Sequence, residues 1–199
     1  MTKYYIPEFD DPFPEGRVAI AGFRHETALV LLRLTEGADM EPNVRQWFNR
    51  DREAKYVVAG SYTVHWEGAR GEMGTITVPR GMMTDLTSVP PVFRGLVNRV
   101  GPWLEAAIVH DFLCIAWRTM DGQGTRKRRD FADAIMWAAM EKAEVGATKY
   151  LIWGAIRAAA WLSWPKRSDP SVPPDLYLDL DDALVQGQLP KDVKLVPAT

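Results

Sequence analysis

Leu104 to Trp117 reads LEAAIVHDFLCIAW, and from Ala106 onward it is apolar except for two neighbours, His110 and Asp111. A helix this apolar has no solvent face and must lie buried on most sides. Burying an imidazole and a carboxylate costs several kcal/mol unless each is paired, hydrogen-bonded or bound to a metal. Neighbouring residues on a helix project about 100° apart, so the two need not share partners. Other segments must therefore meet each of them.

The remaining chain has to fold around that helix. Its 199 residues suit one domain with a single sizeable core. A formal charge of −2 argues against broad, sequence-independent nucleic-acid binding. The one cysteine, Cys114, lies inside the apolar helix, which excludes an internal disulfide framework and a cysteine-based zinc site. The opening MTKYYIPEFDDPFPEG lacks a signal-peptide pattern. The longest apolar segment, Tyr150 to Trp164, is too short for a membrane span and carries Arg157. These features predict a chain made in the cytoplasm with no transmembrane segment.

Composition and patterning predict an α+β fold, with an N-terminal antiparallel sheet packed against a bundle of three or more C-terminal helices. Residues 1–16 read as an extended arm, 17–164 as one domain and 165–199 as a Pro/Asp-rich tail. Within the domain, 17–80 is the sheet part, 81–91 a loop and 92–164 the helical part. Arg17–Phe23 and Glu26–Thr35 read as two strands around a short turn. Lys55–Trp66 reads as one strand with Gly60 at a bulge, and Gly74–Pro79 as its return. Thr84, Asp85, Thr87 and Ser88 then cluster between a glycine and two prolines, the chemistry of a fixed irregular loop. Thr125 caps a helix from Arg126 to about Glu144, closed by Gly146, and Ala147–Trp164 forms the last helix. In the tail, Asp175–Leu184 is suited to docking a strand or helical turn on the body or on another subunit.

Asp133 opens the run ADAIMWAAM, where a carboxylate is out of place unless it faces a partner. Two helices joined by a short loop pack antiparallel, which brings Asp133, or failing it Asp130, towards His110. A carboxylate on one imidazole nitrogen fixes the tautomer and raises the basicity of the other. Asp111, pointing elsewhere, can meet Asp85 of the loop. Two carboxylates repel unless one is protonated or a cation lies between them, and a hard cation such as Ca2+ or Mg2+ suits oxygen ligands. A plainer reading stands beside this one: a buried hydrogen-bond hub at His110, a solvated helix start at Arg126–Arg129, and Cys114 as core packing.

Three blocks carry a resemblance: VPRGMMTDLTSVPP, AAIVHDFLCIAW and RRDFADAIMWAAMEKAEVG. In this order they resemble the domain-of-unknown-function family 1353. Its pattern is a V-P-x-G-F-x-T-D-x-x-S-V-P loop, an H-D-x-L helix and a helix with an A-D-x-x-F/M core. The likeness spans roughly Tyr62 to Trp161, with Met82 where the family usually has Phe. It implies a bacteriophage or prophage origin and brings no settled activity. The His-Asp helix is also similar to secreted phospholipases of the A-two type. That likeness implies His110 as base and Asp133 as the residue that orients it. It also implies a cation on Asp85, the Leu86 carbonyl and Asp111. From the loop and helix patterns, Thr84, Ser88 and Asp130 are expected to support that site.

Two functions from different classes fit these expectations. One is a metal-assisted hydrolase of ester or amide bonds in the host envelope. The other is a non-enzymatic virion or tail-associated protein whose His-Asp cluster is a structural network and whose partners are other virion or tail proteins. Both place the chain in the host cytoplasm when made, with virion association as a later fate. An intracellular inhibitor of a host factor is a third.

Overall fold

A computed structural model describes residues 4–5, 9–14, 18–34, 55–84, 101–119, 125–163 and 177–178. In chain order the strands are β1 (Tyr4–Tyr5), β2 (Ile20–His25), β3 (Leu31–Leu34), β4 (Lys55–Val58), β5 (Tyr62–Gly68), β6 (Met73–Val78) and β7 (Met83–Thr84). Three helices follow, α1 (Leu104–Thr119), α2 (Arg126–Lys142) and α3 (Thr148–Ser163), and then β8 (Tyr177–Leu178). The architecture is α+β, with antiparallel strands in the N-terminal half and helices in the C-terminal half.

Period-two patterning builds the sheet that faces the helices. Along β5, Tyr62, Val64 and Trp66 are buried while Thr63, His65 and Glu67 point the other way. β5 is the centre of the sheet β2-β5-β6, and β4 is the centre of a second sheet, β3-β4-β7. The sequence reads Lys55–Trp66 as one strand, but the chain changes sheets in the middle of it. Buried residues run unbroken from Val57 to Gly60 into the alternating β5, so the sequence gives no sign of the corner. Small residues at Ala59, Gly60 and Ser61 let the backbone turn there, and Ala59 N–H donates to the Val30 carbonyl at 2.9 Å. Gly60 thus marks a corner and not a bulge. β2 and β3 likewise enter different sheets and do not pair with each other.

The helices follow the sequence more closely. Thr125 caps α2, its hydroxyl accepting from Arg128 N–H at 3.3 Å. The helix ends at Lys142, earlier than the sequence suggests, because Glu144 takes the left-handed conformation (φ 53°) that glycine usually fills. Val145 N–H then reaches back to the Met140 carbonyl at 3.0 Å and satisfies the helix end. α1 and α2 pack on each other, and α2 also covers β2. Among the described residues, no helix is long and apolar enough to cross a membrane.

The core between sheet and helices is largely aromatic. Phe131 of α2 meets Trp66 of β5 edge-on at 5.3 Å and Trp117 of α1 at 6.2 Å. Residues 9–14 lie against the same cluster as a strap: Phe9 packs on Phe112, and Phe13 on Phe131. Asp11 anchors the strap by accepting from Trp117 Nε1 at 2.8 Å and from Arg128 at 2.6 Å. Tyr177 is buried and pairs both with β1 and with Met82, so β8 is docked on the body.

Two glycines test this packing. A Cβ at Gly74 would lie 2.5 Å from the indole nitrogen of buried Trp66. Gly74→Ala is therefore expected to destabilise the fold by about 1–3 kcal/mol. A Cβ at Gly154, mid-helix in α3, meets nothing within 4 Å. Gly154→Ala should leave the fold intact and stabilise it by up to about 1 kcal/mol. Urea unfolding of the two variants should thus move in opposite directions.

Candidate functional site

The expected meeting of α1 and α2 takes place at His110. Its Nε2 lies 2.9 Å from Asp133 Oδ1, with the His110 side chain 8% and the Asp133 side chain 2% exposed. Asp133 faces α1 because it sits on the buried stripe of α2 with Arg129, Ala132 and Met136. The other ring nitrogen, Nδ1, has longer contacts: Asp111 Oδ1 at 3.9 Å and Cys114 Sγ at 3.9 Å. Cys114 is one turn along α1 from His110, so sulfur and imidazole share a face. The imidazole is therefore anchored through Nε2, with the Cys114 sulfur near both ring nitrogens and Nδ1 on the side of Asp111, whose side chain is 19% exposed.

Burial works against a charged imidazole here. The Cys114 sulfur and the carboxylates of Asp111 and Asp133 outweigh it, and together they hold the His110 pKa well above its ordinary value. The two acids thus favour the charged form of the His110 imidazole.

Asp133 has further neighbours. Its Oδ2 lies 3.6 Å from Arg129 Nη2 and 3.5 Å from Arg157 Nη1, beyond a good hydrogen bond in both cases. Arg157 belongs to α3 and also reaches Asp130 at 3.8 Å. A single carboxylate therefore joins all three helices. Neither arginine was assigned to the site from the sequence, though signals existed for both. Arg129 stands four residues before Asp133, the spacing of a helical ion pair, and Arg157 is a cation in an otherwise apolar helix.

Asp130 does not reach His110. It is 46% exposed and pairs with Arg126 at 4.0 Å as well as with Arg157. Thr84 is buried at the end of β7. Asp85, Leu86 and Ser88 lie outside the described residues. Of the expected cation ligands, Asp111 alone is therefore described. Among the described residues, no three His, Cys, Asp or Glu side chains are grouped to hold a metal ion. His25 and His65 serve the sheet: His25 Nδ1 bonds the Tyr62 hydroxyl at 2.6 Å, and His65 bridges Glu26 and Thr75.

A family model described as "Protein of unknown function (DUF1353)" matches residues 63–156. Over that segment the chain is similar to this family. The matched residues run from β5 into α3 and include His110, Asp111, Arg129 and Asp133. Neither a curated protein nor a solved structure matches the chain significantly. The His110–Asp133 bond joins two of the three sequence blocks that carried the resemblance.

Two outcomes follow from the pairing. Asp133→Ala would leave the imidazolium and Arg129 buried without their shared acid, and should cost about 3–5 kcal/mol in denaturant unfolding. The sign of the pH dependence follows from the raised His110 pKa. Stabilisation by the charged imidazole is full below the unfolded-state value of about 6.5 and is lost as pH rises through the folded value. Wild type should exceed His110→Gln in stability most below that value, with the gap narrowing in alkali. A gap that widens with pH would contradict the assignment.

Proposed function

We propose that this protein is a phage- or prophage-encoded hydrolase acting on ester or amide bonds of the host envelope. His110 is its general base, and Asp133 is the residue that orients it. The observation that carries this reading is the asymmetry of the imidazole. Nε2 is tied to a buried carboxylate at 2.9 Å, while Nδ1 faces the side where Asp111 reaches solvent. An imidazole so held can take a proton from water at Nδ1 while Asp133 stabilises the charge formed. What supports a phage or prophage origin is the resemblance carried by the three sequence blocks.

A hard cation belongs to the same proposal. Asp111, the Leu86 carbonyl and Asp85 would hold it, and Asp111 supplies the hard oxygen donor such an ion needs. When bound it would stabilise the developing oxyanion. Its positive charge would also favour the neutral form of His110.

Depth of burial favours a second reading. With His110 at 6% and Asp133 at 2% exposure, and two arginines drawn to one carboxylate, the cluster has the form of a structural network. In that reading the protein is a non-enzymatic virion or tail-associated component.

The test is hydrolysis of chromogenic acyl esters and of isolated envelope fractions, with and without millimolar calcium. On the hydrolase reading, His110→Ala lowers kcat by about 10²–10⁴-fold. Cys114→Ala retains activity, because water is the nucleophile. The wild-type rate climbs with pH and levels off above the usual histidine range, and calcium moves that profile to lower pH. Calcium should raise the thermal midpoint of wild type but not of Asp111→Ala. Unchanged turnover in a folded His110→Ala protein would remove the hydrolase reading and leave the structural one.

A further inference from the structure

Away from His110, the junction of α2 and α3 holds a second cluster that the function above does not use. Trp137 of α2 meets Tyr150 of α3 at 5.3 Å with 65° between the ring planes, and Trp153 at 5.6 Å with 72°. The amine of Lys149 sits 5.4 Å from the ring centres of both Trp137 and Tyr150. It also donates to Glu141 Oε1 at 2.5 Å, and this hydrogen bond raises the Lys149 pKa. Two inclined ring faces and a carboxylate therefore surround one cation.

Folding stability alone does not account for the arrangement. Tyr150 is 61% exposed and the Glu141 side chain 50% exposed. Ion pairs and cation–π contacts at such positions contribute little to stability. A large ring left in solvent but fixed at an angle to a tryptophan is a preorganised surface for a cation.

We propose that the corner formed by Trp137, Tyr150 and Glu141 is a binding site for a quaternary ammonium group, closed in the resting chain by the amine of Lys149. Ring faces attract any cation, but a primary ammonium is strongly hydrated and keeps a hydrogen-bonding partner, here Glu141. A quaternary ammonium has no N–H to satisfy and presents an apolar methyl surface, so it suits the rings better. Lys149 competes through its tether, which gives it a high effective concentration. The shared chemistry is that of choline, whether free or as a lipid headgroup. This site is independent of the hydrolase reading.

The full chain would be titrated calorimetrically with choline chloride against sodium chloride at equal ionic strength. Lys149→Ala and Lys149→Gln should both bind choline saturably and about tenfold more tightly than wild type. Adding Tyr150→Ala, a change at an exposed ring, should abolish that gain. Sedimentation of the Lys149 variants with phosphatidylcholine vesicles, reversed by free choline, would identify the headgroup as the source. Choline binding without vesicle binding would identify the free molecule. The proposal is overturned if the Lys149 variants bind neither, or if the gain survives loss of Tyr150.

Discussion

The 2.9 Å contact between His110 and Asp133 is the constraint on which the helical half depends. It places opposite charges in a region where water cannot screen them, so the attraction is strong and so is the penalty for separating them. α1 can be apolar over most of its surface because its imidazole faces an acid supplied by α2. The contact also fixes how α1 and α2 are rotated. That rotation turns Phe112, Trp117 and Phe131 towards the sheet and the strap.

Much of this arrangement was legible in the residues. An ionisable pair inside LEAAIVHDFLCIAW demands acidic company, and ADAIMWAAM offers an acid where none belongs. What escaped was information that patterning does not carry. Apolar and small residues run without a break from Val57 to Gly60 although the chain leaves one sheet for another. Arg129 has the composition of a solvated helix start, and only the depth of Asp133 draws it inward. Phe9 and Phe13 lie among prolines and aspartates, a context that gives no sign of burial against three helix-borne aromatics. The left-handed Glu144 stands two residues before the glycine that the sequence offers as a helix stop.

The sheets bear on the site through what they support. β5 and β6 present Trp66, Ile76 and Val78 to the helices and leave their polar residues on the opposite face. α1 is thus backed by an apolar surface, and its His110 turns towards Asp133 of α2. Arg157 then extends the polar cluster from the buried acid to Asp130 at the surface. The result is a graded path from a carboxylate shut away from water, through guanidinium groups, to solvent. His110 and Cys114 border its inner end.

The strap at residues 9–14 has a consequence for synthesis. Asp11 closes on Trp117 and Arg128 across separations of 106 and 117 positions. During translation Phe9 and Phe13 therefore leave the ribosome long before the helices they cover exist. The nascent segment must wait with two greasy rings unprotected, and closing so long a loop is entropically slow. Emergence of α1 and α2, and not of the segments before them, is the event that lets the aromatic core seal, and holdase chaperones have their opportunity in that interval.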